Sequence, residues 1–210
     1  MMTQQFRMAT HLIISRVTRT ERVARRAHCA ARARRSRMPP LGVLDDAEAL
    51  ASLLGAREGA PEVAAFLERL ARAVGASPSS APDVRRFPPS CAYVNHRALG
   101  LSLCFEDGAL DAIHAYAEGV DGFDGFRGVA PGGVRLAPRP GGGGSGGEVS
   151  TGRRLVETLG EPSGKGCVGG GVFMQYDHLG IKVDLAAADW ESPDATARCV
   201  SVWEASTSEQ

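Results

Sequence analysis

Three things are missing from this 210-residue chain. No stretch approaches the roughly 20 continuous apolar residues of a membrane-spanning helix. The five cysteines include no C-x-x-C pair, which argues against a disulfide scaffold or a zinc ribbon. There is no strand-to-helix elbow to present a nucleophilic serine, because the G-x-S-x-G spacing at Gly143–Gly147 falls inside a glycine run. What remains is a chain with 43% apolar residues, enough to bury a core, of a size that fits one ordinary domain or two very small ones.

Lysine is absent from residues 1–38, yet arginine occurs there ten times beside one acid, Glu21. Removing these from the 24 basic and 24 acidic residues leaves 14 and 23. The formal charge of zero therefore conceals a basic leader and an acidic body. An acidic body would repel a phosphate backbone rather than release its counterions, which argues against nucleic acid as a partner except through the basic arm. On a helical wheel Arg19, Arg22 and Arg26 share one side, with Ile13, Val17 and Ala24 roughly opposite; Leu12 and Val23 break the pattern. An arginine-rich, acid-poor, partly amphipathic leader is the pattern of an organelle transit peptide, and a mitochondrial or other organellar destination is the expectation. The apolar run His11-Leu12-Ile13-Ile14 is too short for a secretory signal. The alternatives are a disordered basic tail on a cytoplasmic protein, or an upstream extension of a chain that starts at Met38.

Beyond Pro39-Pro40, helical and strand periods alternate. Asp45 or Asp46 is a candidate cap for a short helix through Leu50, Leu53 and Leu54, stopped by Gly55. A second helix is expected over 61–74, with Pro61 in its first turn, an apolar stripe of Val63, Phe66, Leu67, Leu70 and Val74, and Gly75 as its stop. Residues 76–90 read as a Pro/Ser-rich loop. Cys91 to Asn95 reads as a strand, and Leu99, Leu101, Leu103 and Phe105 alternate with small or polar residues as a half-buried one. Asp107-Gly108 signals a two-residue hairpin, returning through Leu110 to Tyr116. Twelve of the 26 glycines fall in 117–149, which reads as a connector without fixed structure. After it, Ser150 or Thr151 caps a helix carrying Leu155, Val156 and Leu159. Strands then follow at Val172–Tyr176, Leu179–Leu185 and Cys199–Trp203.

The halves align. Leu53-Leu54-Gly55 matches Thr158-Leu159-Gly160, and Leu99-Gly100-Leu101-Ser102-Leu103 matches Leu179-Gly180-Ile181-Lys182-Val183. Tyr93 and Phe173 each lie six residues before the matched leucine. The expected fold class is α+β, two α-β-β-β repeats with helices packed on antiparallel sheet. Its segments would be a leader over 1–38, repeat one over 45–116, the connector over 117–149 and repeat two over 150–205. Gly100 and Gly180 would mark a bulge or a close backbone approach at matching points.

Val156-Glu157-Thr158-Leu159-Gly160-Glu161-Pro162, followed by Tyr176, Gly180, Val183 and Leu185, resembles the helix-plus-three-strand module of the small outer-membrane-assembly lipoproteins of the SmpA/OmlA type. The tandem pair over 45–203 also resembles the beta-lactamase inhibitor protein. The lipoprotein pattern breaks at Cys29, which follows Arg26-Ala27-His28 instead of an apolar lipobox, so lipid anchoring does not transfer. The resemblance implies a non-catalytic protein whose sheet face docks a partner.

Candidate chemistry is sparse. Gly160 to Gly166 is one residue short of a phosphate loop, lacks its hydroxyl and follows a helix. Cys91, His96, Cys104 and His114 lack the close ligand spacing of a structural metal site. Glu118, Asp121 and Asp124 do not follow an EF-hand pattern, and read as a solvated loop anchored by Phe123 and Phe126. His178 with Asp177, or His114 with Asp111, would need a nucleophile in reach. No catalytic, cofactor or metal residue is therefore assigned. Trp203 reads as core, and Trp190 and Tyr116 are the candidate partner-binding aromatics. The expectation is a non-enzymatic interaction domain with an unidentified protein partner; the alternative is a small hydrolase or ligand-binding protein using the open sheet face.

Residues 1–37 fused to a reporter should deliver it to an organelle and be cleaved off, and Arg19, Arg22 and Arg26 changed together to Gln should abolish delivery. Imaging and reporter mass decide this: a diffuse reporter with an intact leader counts against transit.

Overall fold

The computed structural model describes residues 46–76, 81–136, 148–168 and 171–205. The transit reading of the leader lies outside them. In chain order the regular elements are α1 (Asp46–Ser52), α2 (Pro61–Val74), β1 (Asp83–Phe87), β2 (Cys91–His96), β3 (Leu101–Glu106), β4 (Ala109–Tyr116), α3 (Gly152–Leu159), β5 (Gly164–Val168), β6 (Gly171–Tyr176), β7 (Ile181–Leu185) and β8 (Ala197–Trp203). All eight strands join one antiparallel sheet in the order β1-β2-β3-β4-β8-β7-β6-β5.

This corrects the expected fold class. The chain does not form two α-β-β-β repeats with helices packed on a sheet; it is mainly one large eight-stranded sheet with few helices. Two features explain the difference. The outer strands β1 and β5 lie in segments whose local composition reads as loop: an Arg-bearing stretch before Pro88-Pro89, and Gly-Lys-Gly-Cys-Val. Their neighbours β2 and β6 supply the backbone pairing that makes them strands. The inner strands β4 and β8 carry Ile113, Ala115, Val200 and Val202, too apolar to remain open edges, and they pair with each other through Ala112–Tyr116 and Cys199–Trp203.

Several local elements follow their sequence signals. α2 occupies Pro61–Val74 and stops at the left-handed Gly75, burying Val63, Phe66, Leu70 and Ala71. Asp107 and Gly108, with φ of 51° and 74°, make the tight turn between β3 and β4. Thr151 Oγ1 accepts the Arg154 amide at the start of α3. Leu101, Leu103, Phe105, Ile181 and Val183 are all buried, in one core with Leu50 of α1, Phe66 of α2 and Leu155 of α3. Among the described residues no helix is long and apolar enough to cross a membrane.

The reading of 117–149 as a connector without fixed structure needs correction over its first part. Phe123, Phe126, Ala130, Val134 and Leu136 are buried, and the Phe126 amide donates to the Tyr116 carbonyl at 2.8 Å. Residues 137–147 lie outside the described residues. Glycine content alone misleads here, because two phenylalanines anchor the segment against the sheet end.

Gly100 and Gly180 do mark close backbone approaches. Each closes a single helical turn (Arg97–Leu99 and Asp177–Leu179) in the left-handed region, with φ of 68° and 62°. Each carbonyl accepts an amide at 2.8 Å, from Tyr116 and Trp203 respectively. A methyl group on Gly100 would run into the backbone of Gly125 and Phe126, and one on Gly180 into the Trp203 carbonyl.

Leu103→Ala should cost about 2–5 kcal/mol, since it empties fully enclosed space. Gly75 and Gly100 share a φ of 68°, but a methyl on Gly75 meets nothing. Gly75→Ala should cost about 1–2 kcal/mol for the left-handed backbone, and Gly100→Ala clearly more. Denaturant titration measures all three; equal losses at the two glycines would mean that close approach is not the constraint.

Candidate functional site

Successive side chains of a strand point to opposite faces. One face of this sheet carries the apolar core. On the other, register aligns one residue from each strand: Asp83, Asn95, Ser102, His114, Ser201, Lys182, Gln175 and Gly164. Five of these are the buried polar residues among the described part of the chain: Asn95 at 6% exposure, Ser102 at 1%, His114 at 7%, Ser201 at 5% and Lys182 at 3%. Buried polar groups could lie anywhere in a fold. Here they form a single line across the sheet.

The line is internally bonded, as burial requires. Asn95 Nδ2 donates to the Asp83 carbonyl at 3.1 Å, and Ser102 Oγ donates to Asn95 Oδ1 at 2.7 Å. His114 Nδ1 and Ser201 Oγ are 2.9 Å apart. Lys182 Nζ lies 3.2 Å from Asp184 Oδ1 and 5.2 Å from the centre of the Phe173 ring. At the β1 end, Arg97 and Arg85 bond Asp83 at 3.0 and 3.3 Å, and the Arg97 guanidinium holds its carboxyl below the usual range.

Rings accompany the line. Phe87 meets Tyr93 edge-on, Tyr93 stacks on His114 at 6.1 Å, and Tyr116 lies 6.5 Å from His114 and stacks on Phe123 at 4.2 Å. Tyr93 and Phe173 sit at matching places in β2 and β6, each directly across from a residue of the next strand, Cys104 and Asp184. Trp203 faces Ala112 on the same side. All three are half-buried, leaving part of each ring at the surface.

Burial pushes the Tyr93 and Tyr116 phenols and the Cys199 thiol up. A hydrogen bond with Cys91, then burial, does the same for Cys104. At neutral pH these groups stay protonated, so Cys104 and Cys199 offer no thiolate. Of the hydroxyls in the polar line, Ser201 is the one beside an imidazole, 2.9 Å from His114 Nδ1.

Trp190 and Tyr116, the aromatics singled out in the sequence, fare differently. Trp190 is 41% exposed, in the loop between β7 and β8. Tyr116 is 8% exposed and stacked beneath Phe123, so it has little ring to offer a partner. Trp203, expected in the core, lies half-buried on the polar face. Asp111 is exposed while His114 is buried against Ser201, and Asp177 is taken up by Ser163 and Gln175. Among the described residues no group of three or more His, Cys, Asp or Glu is placed to hold a metal. A cleft of about 420 Å³ opens beside Phe87, Pro88 and Cys91, but its charged wall is occupied by the two-point pair of Arg86 with Glu58, at 2.7 and 3.2 Å.

Sequence reasoning missed Asn95, Ser102, Ser201 and Lys182. Each stands among alternating apolar residues and reads as an outward, solvated position; only register shows that they meet. The sole signal was the aligned Leu-Gly step, which places Ser102 and Lys182 at corresponding points. Comparison with protein-family models, curated proteins and solved structures finds no match to this chain.

Asp184→Ala removes the counter-charge of a lysine whose side chain is 4% exposed. Breaking a buried pair costs about 3–5 kcal/mol, and the 24% exposure of Asp184 sets the loss near the lower end. Lys182→Met should cost less, because Asp184 can then take up water. Urea titration compares the two; a larger loss for Lys182→Met would reverse the assignment of the sensitive partner.

Proposed function

We propose that this protein is a non-enzymatic interaction domain whose partner docks on the polar face of the sheet. The observation that carries this reading is the placement of Tyr93, Phe173 and Trp203, three half-buried rings brought by register to one face around a central polar line. Aromatic residues supply most contact energy in protein interfaces. A rigid sheet presents them at little entropic cost, since strand pairing already fixes their spacing. The bonded row beneath them holds the ring spacing. Trp190, exposed in the β7–β8 loop, is a further candidate contact. Delivery to an organelle by the arginine-rich leader belongs to the same proposal and rests on the charge pattern of residues 1–38.

A photoreactive phenylalanine analogue tests the reading. Placed at 173 or 203 in the full chain and irradiated in cells, it should give a discrete cross-linked species. The same analogue at Arg72, on the exposed side of α2, should give none. Tyr93→Ala should weaken the cross-link from 173 by about tenfold, the loss of one contact worth roughly 1.4 kcal/mol. Equal cross-linking from 72 and 173 would remove the sheet face as the docking surface.

A further inference from the structure

We propose that Ser201 is an acyl-acceptor site, a serine activated by His114 for one-step transfer from an activated ester. The observation is the pairing at the centre of the sheet. Ser201 on β8 stands directly between two register partners, His114 on β4 and Lys182 on β7. Ser201 Oγ is 2.9 Å from His114 Nδ1, the reach of a nucleophile and its general base. When Nδ1 carries no proton, the serine hydroxyl donates to it. The Tyr93 ring stacked at 6.1 Å and the Tyr116 ring at 6.5 Å confine the imidazole. On the other side stands Lys182, the β7 register partner of Ser201, its ammonium held by Asp184 at 3.2 Å.

The step balances within the pair and an ester. Ser201 Oγ bonds to the acyl carbon, and its proton passes to His114 Nδ1. The bond from that carbon to the leaving alcohol breaks, and the departing oxygen takes the proton from His114. The products are acyl-serine and free alcohol, with His114 restored. No oxidant, metal or second substrate is required. The inference is one of stoichiometric modification and does not rest on the docking reading: it needs the centre of the face, whereas docking uses the rings around it. The two therefore fail separately.

The test uses the full chain and p-nitrophenyl acetate. The folded protein should release about one equivalent of p-nitrophenolate, with one acetyl group mapped to Ser201 by peptide mass. Ser201→Ala should lose that acetyl group. His114→Gln should slow acetylation of Ser201 about 100-fold, the low end of a general base's contribution. Unfolding the wild type in guanidinium should abolish selectivity for Ser201, a comparison that decides the matter even if a variant fails to fold. Acetylation only at Lys165, Lys182 or other amines overturns the proposal. So do a Ser201 rate unchanged in folded His114→Gln, and equal labelling of Ser201 in folded and unfolded chains.

Discussion

The pairing of β4 with β8 is the interaction on which the rest of the structure depends. It joins a strand from each half of the chain over five register pairs, and it makes one sheet of two four-stranded runs. Without it, Ile113, Ala115, Val200 and Val202 would stand at two open apolar edges, a template for association with other chains. With it, those residues are enclosed and the β3–β4 and β7–β8 hairpins share one core. The same register sets His114 opposite Ser201, so the contact that closes the sheet also builds the centre of its polar face.

Such a polar line opposes burial. Each amide, hydroxyl or charge taken from water must regain its partners, and a half-satisfied network destabilises more than apolar filling would. The chain meets this demand within the sheet instead of across layers: between neighbouring strands from Asn95 to Asp83, Ser102 to Asn95 and His114 to Ser201, and along β7 from Lys182 to Asp184. These bonds require the register they are found in, because a one-residue slip would turn the whole set toward the apolar core. The row therefore selects one pairing of eight strands out of several that the apolar face alone would accept.

Much of the local structure was legible in the sequence, because short-range rules decide it. The apolar stripe of α2, its Pro61 start and its Gly75 stop need only i, i+3 and i+4 neighbours. The Asp107-Gly108 turn needs only two residues able to take positive φ. β1 and β5 were not legible, since Arg85, Arg86, Gly164 and Gly166 become strand only through partners elsewhere in the chain. The face was the least legible part. Lys182 between Ile181 and Val183 is the usual sign of a solvated side, and nothing within β7 shows that Phe173 and Ser201 lie beside it. Fold class failed for the same reason: the elements were read one half at a time, while the pairing that merges them joins residues 112–116 to 199–203.

The electrostatics of the polar face follow from its burial. Thiols and phenols there are held protonated, Cys104 by its hydrogen bond with Cys91 and then burial, and Cys199, Tyr93 and Tyr116 by desolvation, which removes all four as sources of charge. The fixed charges named on it are Lys182 with Asp184, a neutral pair, and Asp83 with Arg85 and Arg97, a set that keeps one positive charge. A face with so few charges steers a partner only weakly over long range. Its selectivity has to arise at contact, from ring geometry and from the direction of a few polar groups. Both are set by strand register, and so both trace back to the β4–β8 pairing.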